Sequence, residues 1–131
     1  MSDRRPDCVY GILVREGRVF LRLFDGGYGL PGGVFRPLAE DRKVELRAHL
    51  FDQLGIGARN VWAQGAFDYR NPDETCERFC GFFSVWDWDG DVPSRAGDWF
   101  DASGVPAAPA LHTSLRILLL RILATLALKT T

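Results

Sequence analysis

Lysine is nearly missing from this 131-residue chain. Of its sixteen basic residues only Lys43 and Lys129 are lysines, and the rest are arginines. Arginine suits bidentate phosphate or carboxylate contacts, but a codon bias in the source genome would give the same skew. Excess charge of one sign is also missing. Sixteen basic residues face seventeen acidic ones, for a formal net charge of −1, so no overall field draws in nucleic acid or an anionic membrane. Cysteine is scarce: Cys8, Cys76 and Cys80 are an odd number and match no zinc-site spacing. If Cys76 and Cys80 shared one strand face they would stand roughly 13 Å apart, too far for a disulfide. Met1 to Pro6 shows no apolar stretch behind Arg4 and Arg5, so the expected setting is a reducing cytoplasm with free thiols. No apolar run approaches the roughly 20 residues that cross a bilayer. The most apolar segment, near the C-terminus, is interrupted by Arg116 and Arg121.

What remains is the composition of a globular domain, 47% hydrophobic and 25% charged, and the length fits a single domain over 1–131. Cys8 to Val14 and Val19 to Phe24 read as two strands around the turn Arg15-Glu16-Gly17-Arg18, a hairpin pattern. Asp25-Gly26-Gly27 breaks the chain, and Gly29-Leu30-Pro31-Gly32-Gly33 follows. From about Leu38 to Leu54 the pattern is helical, with Leu46, Leu50 and Leu54 at i, i+4, i+8 and Gly55 placed to end it. Lys43 and Arg47 intrude on its apolar side. Val61 to Tyr69 reads as a strand, 70–74 as a polar loop, and Cys76 to Trp88 as a segment holding a long aromatic-rich strand. A short segment begins at Trp99 and Phe100. A last helix from about His112 to Leu128 is apolar nearly all round. That pattern predicts burial on more than one side, either within the chain or against a second copy in a homodimer.

Several residues suggest chemistry. Glu45, His49 and Asp52 fall at i, i+4, i+7, one stripe of the first helix, and with Glu40 upstream they form a candidate set for a divalent metal such as Mn²⁺ or Zn²⁺. The alternative is a solvated polar stripe opposite the leucines. Asp73, Glu74 and Glu77, in or beside the mid-chain loop, are candidates for a catalytic base. Arg70 and Arg78 are candidates for holding phosphate, or are plain surface charge. Phe67, Tyr69 and Trp86 could stack on a base or simply pack in the core. His112, at the start of the last helix, reads as structural.

The order strand, strand, Leu-Pro-Gly-Gly, helix, Gly55-Ile56 and further strands resembles the Nudix hydrolases, and the resemblance extends through most of the chain. It implies an α/β fold, a Nudix-like α/β/α sandwich with a mixed sheet. It also implies cleavage of a nucleoside diphosphate linked to another moiety by water at a Mg²⁺ or Mn²⁺ held by helix glutamates. In that pattern Gly32 and Gly33 belong to the substrate loop. His49, Asp52 and Gln53 stand where the pattern has three glutamates, Ala48 where it has arginine, and Glu40 on the isolated upstream glutamate. Six residues rather than five separate Gly33 from Glu40. The catalytic candidates are therefore Glu40, Asp52 and Glu77, and the implied activity is weakened or altered. The alternative is a catalytically inactive module that binds a nucleotide-like small molecule or a partner.

Overall fold

The computed structural model describes residues 6–35, 41–108 and 111–129, with side chains through Ala127. Strands β1 (Cys8–Arg15) and β2 (Arg18–Phe24) form the expected hairpin, with Val14 opposite Val19. Two short strands follow, β3 (Gly27–Gly29) and β4 (Gly32–Val34), then helix α1 (Arg42–Leu54), β5 (Gly57–Tyr69), β6 (Arg78–Asp89), β7 (Gly97–Phe100) and helix α2 (Thr113–Lys129). The sheet runs β3-β2-β1-β6-β5, with β4 added to β1 and β7 to β2. It is mixed, because β1 and β6 run parallel while the other pairs are antiparallel.

Strand periodicity divides the core in two. Along β1, Cys8, Tyr10, Ile12 and Val14 point to one face of the sheet, and Val9 and Leu13 to the other. The first set packs with Leu115, Leu118, Leu119, Ile122 and Leu123 of α2. The second packs with Leu46, Leu50 and Leu54 of α1. A strand covered on both faces is apolar along nearly its whole length, as β1 is. The result is an α/β/α sandwich. Each fully buried leucine of α1 contributes about 1.5–3 kcal/mol of hydrophobic free energy.

Helix α1 begins where the Asp41 carboxylate accepts the Lys43 N–H at 2.8 Å. It ends at Gly55, whose φ of 70° is the left-handed conformation of a helix stop and whose N–H bonds the Phe51 carbonyl. Arg47 does not break the apolar face: it lies exposed and its Nε donates to the Ala58 carbonyl. Residues 38–40, which the helical pattern includes, lie outside the described residues.

One boundary needs correction: β5 begins at Gly57 rather than Val61, because as an outer strand it does not need the unbroken apolar run of a strand covered on both faces. The strand within 76–88 is β6, and Cys76 precedes it. Of the two ways α2 could be covered, the chain itself supplies one side, and Ile117 on the outer side is 64% exposed. Among the described residues no helix is long and apolar enough to cross a membrane.

Candidate functional site

The segment Leu30-Pro31-Gly32 runs between β3 and β4 and is gripped from two sides by side-chain amides. From the loop after β5, Asn71 accepts the Leu30 N–H and donates to the Leu30 carbonyl, both at 3.0 Å. From the last turn of α1, Gln53 accepts the Gly32 N–H at 2.9 Å and donates to the Gly32 carbonyl at 2.8 Å. Each amide imitates a strand partner, offering one donor and one acceptor to a single residue. Pro31, between them, has no N–H, and its carbonyl accepts from Gly11 at 3.0 Å. Gly32 is glycine for two reasons. Its φ of 143° excludes most side chains, and a Cβ there would collide with the Val9 carbonyl oxygen.

Asn71 is itself held in place. Its Oδ1 accepts a 2.5 Å hydrogen bond from the Tyr69 hydroxyl, and its N–H bonds Glu74 Oε1 at 3.0 Å. The same Glu74 oxygen accepts from the Tyr10 hydroxyl at 2.9 Å. Burial, with Glu74 nearby, pushes the Tyr69 and Tyr10 phenols well above their usual range. Gln53 has one further partner, Arg22 of β2, whose Nη1 donates to Oε1 at 2.9 Å.

The α1 candidates do not share one environment. Glu45 is 3% exposed, so the polar stripe is not uniformly solvated. The His49 ring packs over Gly33, and its Nε2 lies 2.9 Å from the Val34 carbonyl oxygen. A carbonyl can only accept, so Nε2 carries the proton and the ring's lone pair lies on Nδ1. Asp52 is an exposed carboxylate. Among the described residues no three His, Cys, Asp or Glu side chains are grouped to hold a metal ion. Glu40 lies outside the described residues. With Gln53 bonded to Gly32 and His49 to Val34, the residues present do not fit a Mg²⁺ or Mn²⁺ site of three helix carboxylates.

A second neighbourhood lies where the loop after β5 meets the start of α2. Gly26, Arg70, Pro72, Glu77, Leu111, His112 and Thr113 line an open cleft of about 430 Å³. His112 Nδ1 accepts the Ser114 N–H at 3.2 Å, which leaves the proton on Nε2 to donate to Glu77 Oε2 at 2.8 Å. His112 thus has the structural role read from the sequence and also forms part of the cleft wall. Phe67 and Tyr69 place their rings 6.5 and 5.3 Å from the His112 ring. Glu77 pairs with His112 rather than with α1, and Arg70 bonds the Glu74 carbonyl at 2.8 Å. Arg78 stands apart, exposed, with its guanidinium on the thiols of Cys8 and Cys76. The candidate residues thus fall into separate groups. Gly32, Gly33, His49 and Gln53 form one, Arg70, Glu77 and His112 another, and Arg78 joins the cysteines. Sequence reasoning missed Asn71 and the two-way bonding of Gln53. An Asn-Pro pair after a strand signals only a turn.

No protein-family model and no curated protein matches the sequence. Solved structures do. A MutT Nudix hydrolase from Burkholderia pseudomallei superposes with a TM-score of 0.71 at 20% identity, covering 89% of this chain and 97% of that one. A MutT protein from Bacillus halodurans gives 0.70 at 18% identity, over 88% and 80%. The ORF135 protein of E. coli gives 0.68 at 21%, over 89% and 87%. This chain has the Nudix fold. The α/β/α sandwich that the resemblance implied is therefore present, and it spans nearly the full length of the MutT hydrolase from Burkholderia pseudomallei. Fold alone does not carry an activity across such low identity.

Proposed function

We propose that this Nudix-fold chain is a Nudix-type hydrolase, acting on a nucleoside diphosphate linked to another moiety, whose catalysis is weakened. The observation that carries this reading is the Gln53–Gly32 pair. It keeps the glycine loop seated on α1, but with a neutral amide where the resemblance has a carboxylate. Binding and chemistry are thereby separated. The cleft between Pro72, Leu111 and His112 offers apolar walls and a ring edge for a base, and Arg70 at its rim offers a guanidinium for phosphate. Asp52 is the exposed carboxylate of α1 left to orient water. Glu40 and Glu77 complete the acidic set of this reading, and Arg78 is a second phosphate contact. The reading places the reaction in the cytoplasm, with a nucleotide-like small molecule as partner and no nucleic acid or membrane. A homodimer would form through the outer face of α2, where Ile117 is exposed.

The test is a panel of nucleoside-diphosphate derivatives assayed for thermal stabilisation and for hydrolysis, with Mg²⁺, Mn²⁺ and Zn²⁺ each in turn. Ligand at 100 times its dissociation constant stabilises by about 2.7 kcal/mol. Stabilisation with slow, metal-dependent turnover that Asp52→Ala abolishes supports the proposal. Turnover unchanged in Asp52→Ala overturns the residue assignment. Stabilisation with no turnover under any metal favours a second reading, a binding module. The Gln53–Gly32 pair speaks for that module, because a neutral amide occupied by a backbone residue is a poor ligand for Mg²⁺.

A further inference from the structure

The three cysteines, scattered in sequence, converge at one end of the β1–β6 pair. Cys8 opens β1, and in the parallel register its partner is Cys80 of β6. Register partners point to the same face of a sheet, and both residues are buried on the α2 side, 1% and 0% exposed. Neighbouring strands lie about 4.8 Å apart, inside the Cα separation of about 4.4–6.8 Å that a disulfide spans. The Cys80 thiol lies beside Cys8, 3.1 Å from the Arg78 carbonyl oxygen and 3.6 Å from that of Tyr69. The guanidinium of exposed Arg78 reaches back to Cys8 and also contacts exposed Cys76. Two thiols at one register position and on one face are placed to close on each other.

We propose that Cys8 and Cys80 are an oxidisable dithiol that closes reversibly to a disulfide across β1 and β6, with hydrogen peroxide as the oxidant. The Cys8 thiolate attacks one peroxide oxygen, the O–O bond breaks, and Cys8 becomes a sulfenic acid as hydroxide leaves and is protonated to water. The Cys80 sulfur then attacks the Cys8 sulfur, the S–O bond breaks, and a second water departs with the Cys80 proton. In sum, two thiols and one peroxide give one disulfide and two waters. Cys8 suits the first role because the neighbouring Cys80 thiol and Arg78 guanidinium bring its thiol down to about 7 against the burial that opposes them. Cys80, whose thiol burial and the neighbouring Cys8 push upward, remains protonated and suits the second. This inference does not depend on the proposed hydrolase activity.

The test is peptide mapping of the folded, full-length chain after graded hydrogen peroxide, with free thiols alkylated under denaturing, non-reducing conditions. The expected result is a linked pair of peptides containing Cys8 and Cys80, lighter by two hydrogens, with Cys76 alkylated and the link lost on adding a thiol reductant. Cys76→Ser should retain the link. In Cys80→Ser, which keeps a donor beside the Cys8 sulfur but cannot close a disulfide, Cys8 should accumulate as a sulfenic acid that dimedone captures. Arg78→Gln should slow the oxidation severalfold at neutral pH. Cys8 and Cys80 both still alkylated at peroxide levels that oxidise Cys76 would overturn the proposal, and so would a link from either of them to Cys76. Because the mapping is done on the unaltered chain, a folding defect in Cys80→Ser does not obscure the answer.

Discussion

The two ends of the Leu30–Gly32 segment are held by the same chemistry in different surroundings. At one end Asn71 is 5% exposed, packed beside Tyr69 and tied through Glu74 to Tyr10. At the other end Gln53 is only half-buried and shares its oxygen with Arg22 near the surface. Both amides make a two-way pair with one backbone residue. Loss of a hydrogen bond costs little where water can replace it and much where it cannot. The buried end should therefore carry stability, and the rim end should be the adjustable one, where charge can be changed without emptying the core.

The largest break in this comparison is Asn71→Ala. It strands the buried N–H and carbonyl of Leu30 and the Tyr69 hydroxyl together, and should cost about 3 kcal/mol in urea denaturation. Gln53→Glu comes next. It turns a carboxylate toward the Gly32 carbonyl but keeps an acceptor for the Gly32 N–H and gains a charge-assisted bond from Arg22, so it should cost about 1 kcal/mol, as should Gln53→Ala, where water can enter. Equal losses at Asn71 and Gln53 would erase the distinction. A third test uses pH. Tyr69 has its phenol raised by burial, so its contribution is complete below the ordinary tyrosine range near pH 10. Above that range the unfolded phenol ionises while the folded one does not, and stability falls with rising pH by about 1.4 kcal/mol per pH unit for each such group. Tyr69→Phe should flatten part of that decline in denaturation midpoints measured from pH 9 to 11, while Gln53→Ala should leave its slope unchanged. The smallest effect on stability belongs to Asp52→Ala, within about 0.5 kcal/mol for an exposed side chain, yet it is the variant expected to lose whatever turnover the protein shows.

How far the sequence disclosed this depends on which residues are asked. β1 was legible because burial on both faces forces an unbroken apolar run. The C-terminal half of α1 was legible because Leu46, Leu50 and Leu54 repeat at one pitch and Gly55 stops them. β5 was legible only from Val61, since Gly57, Arg59 and Asn60 face solvent and Asn60, at φ 55°, departs from strand geometry. For the site, the replacement of glutamate by Gln53 could be read, but the consequence could not. An amide differs from a carboxylate in being able to donate, and only the position of the Gly32 carbonyl shows that it does so. Asn71 lies 41 residues from Leu30, and no local pattern links the two. The cysteines illustrate the same limit: register across a parallel strand pair depends on a crossover that spacing does not reveal.

The full engagement of the Leu30–Gly32 backbone has a consequence for isotope exchange. Amide hydrogens in a connecting segment ordinarily swap with deuterium in solvent almost as fast as in a free peptide. Here the Leu30 and Gly32 hydrogens are each held by a side chain from a different element, so neither can open alone by the fraying of a neighbouring turn. Their deuterium uptake should be as slow as that of the central strands. A ligand that needed these two amides would first have to pull the segment away from both amide side chains, and uptake at these positions would then quicken on binding.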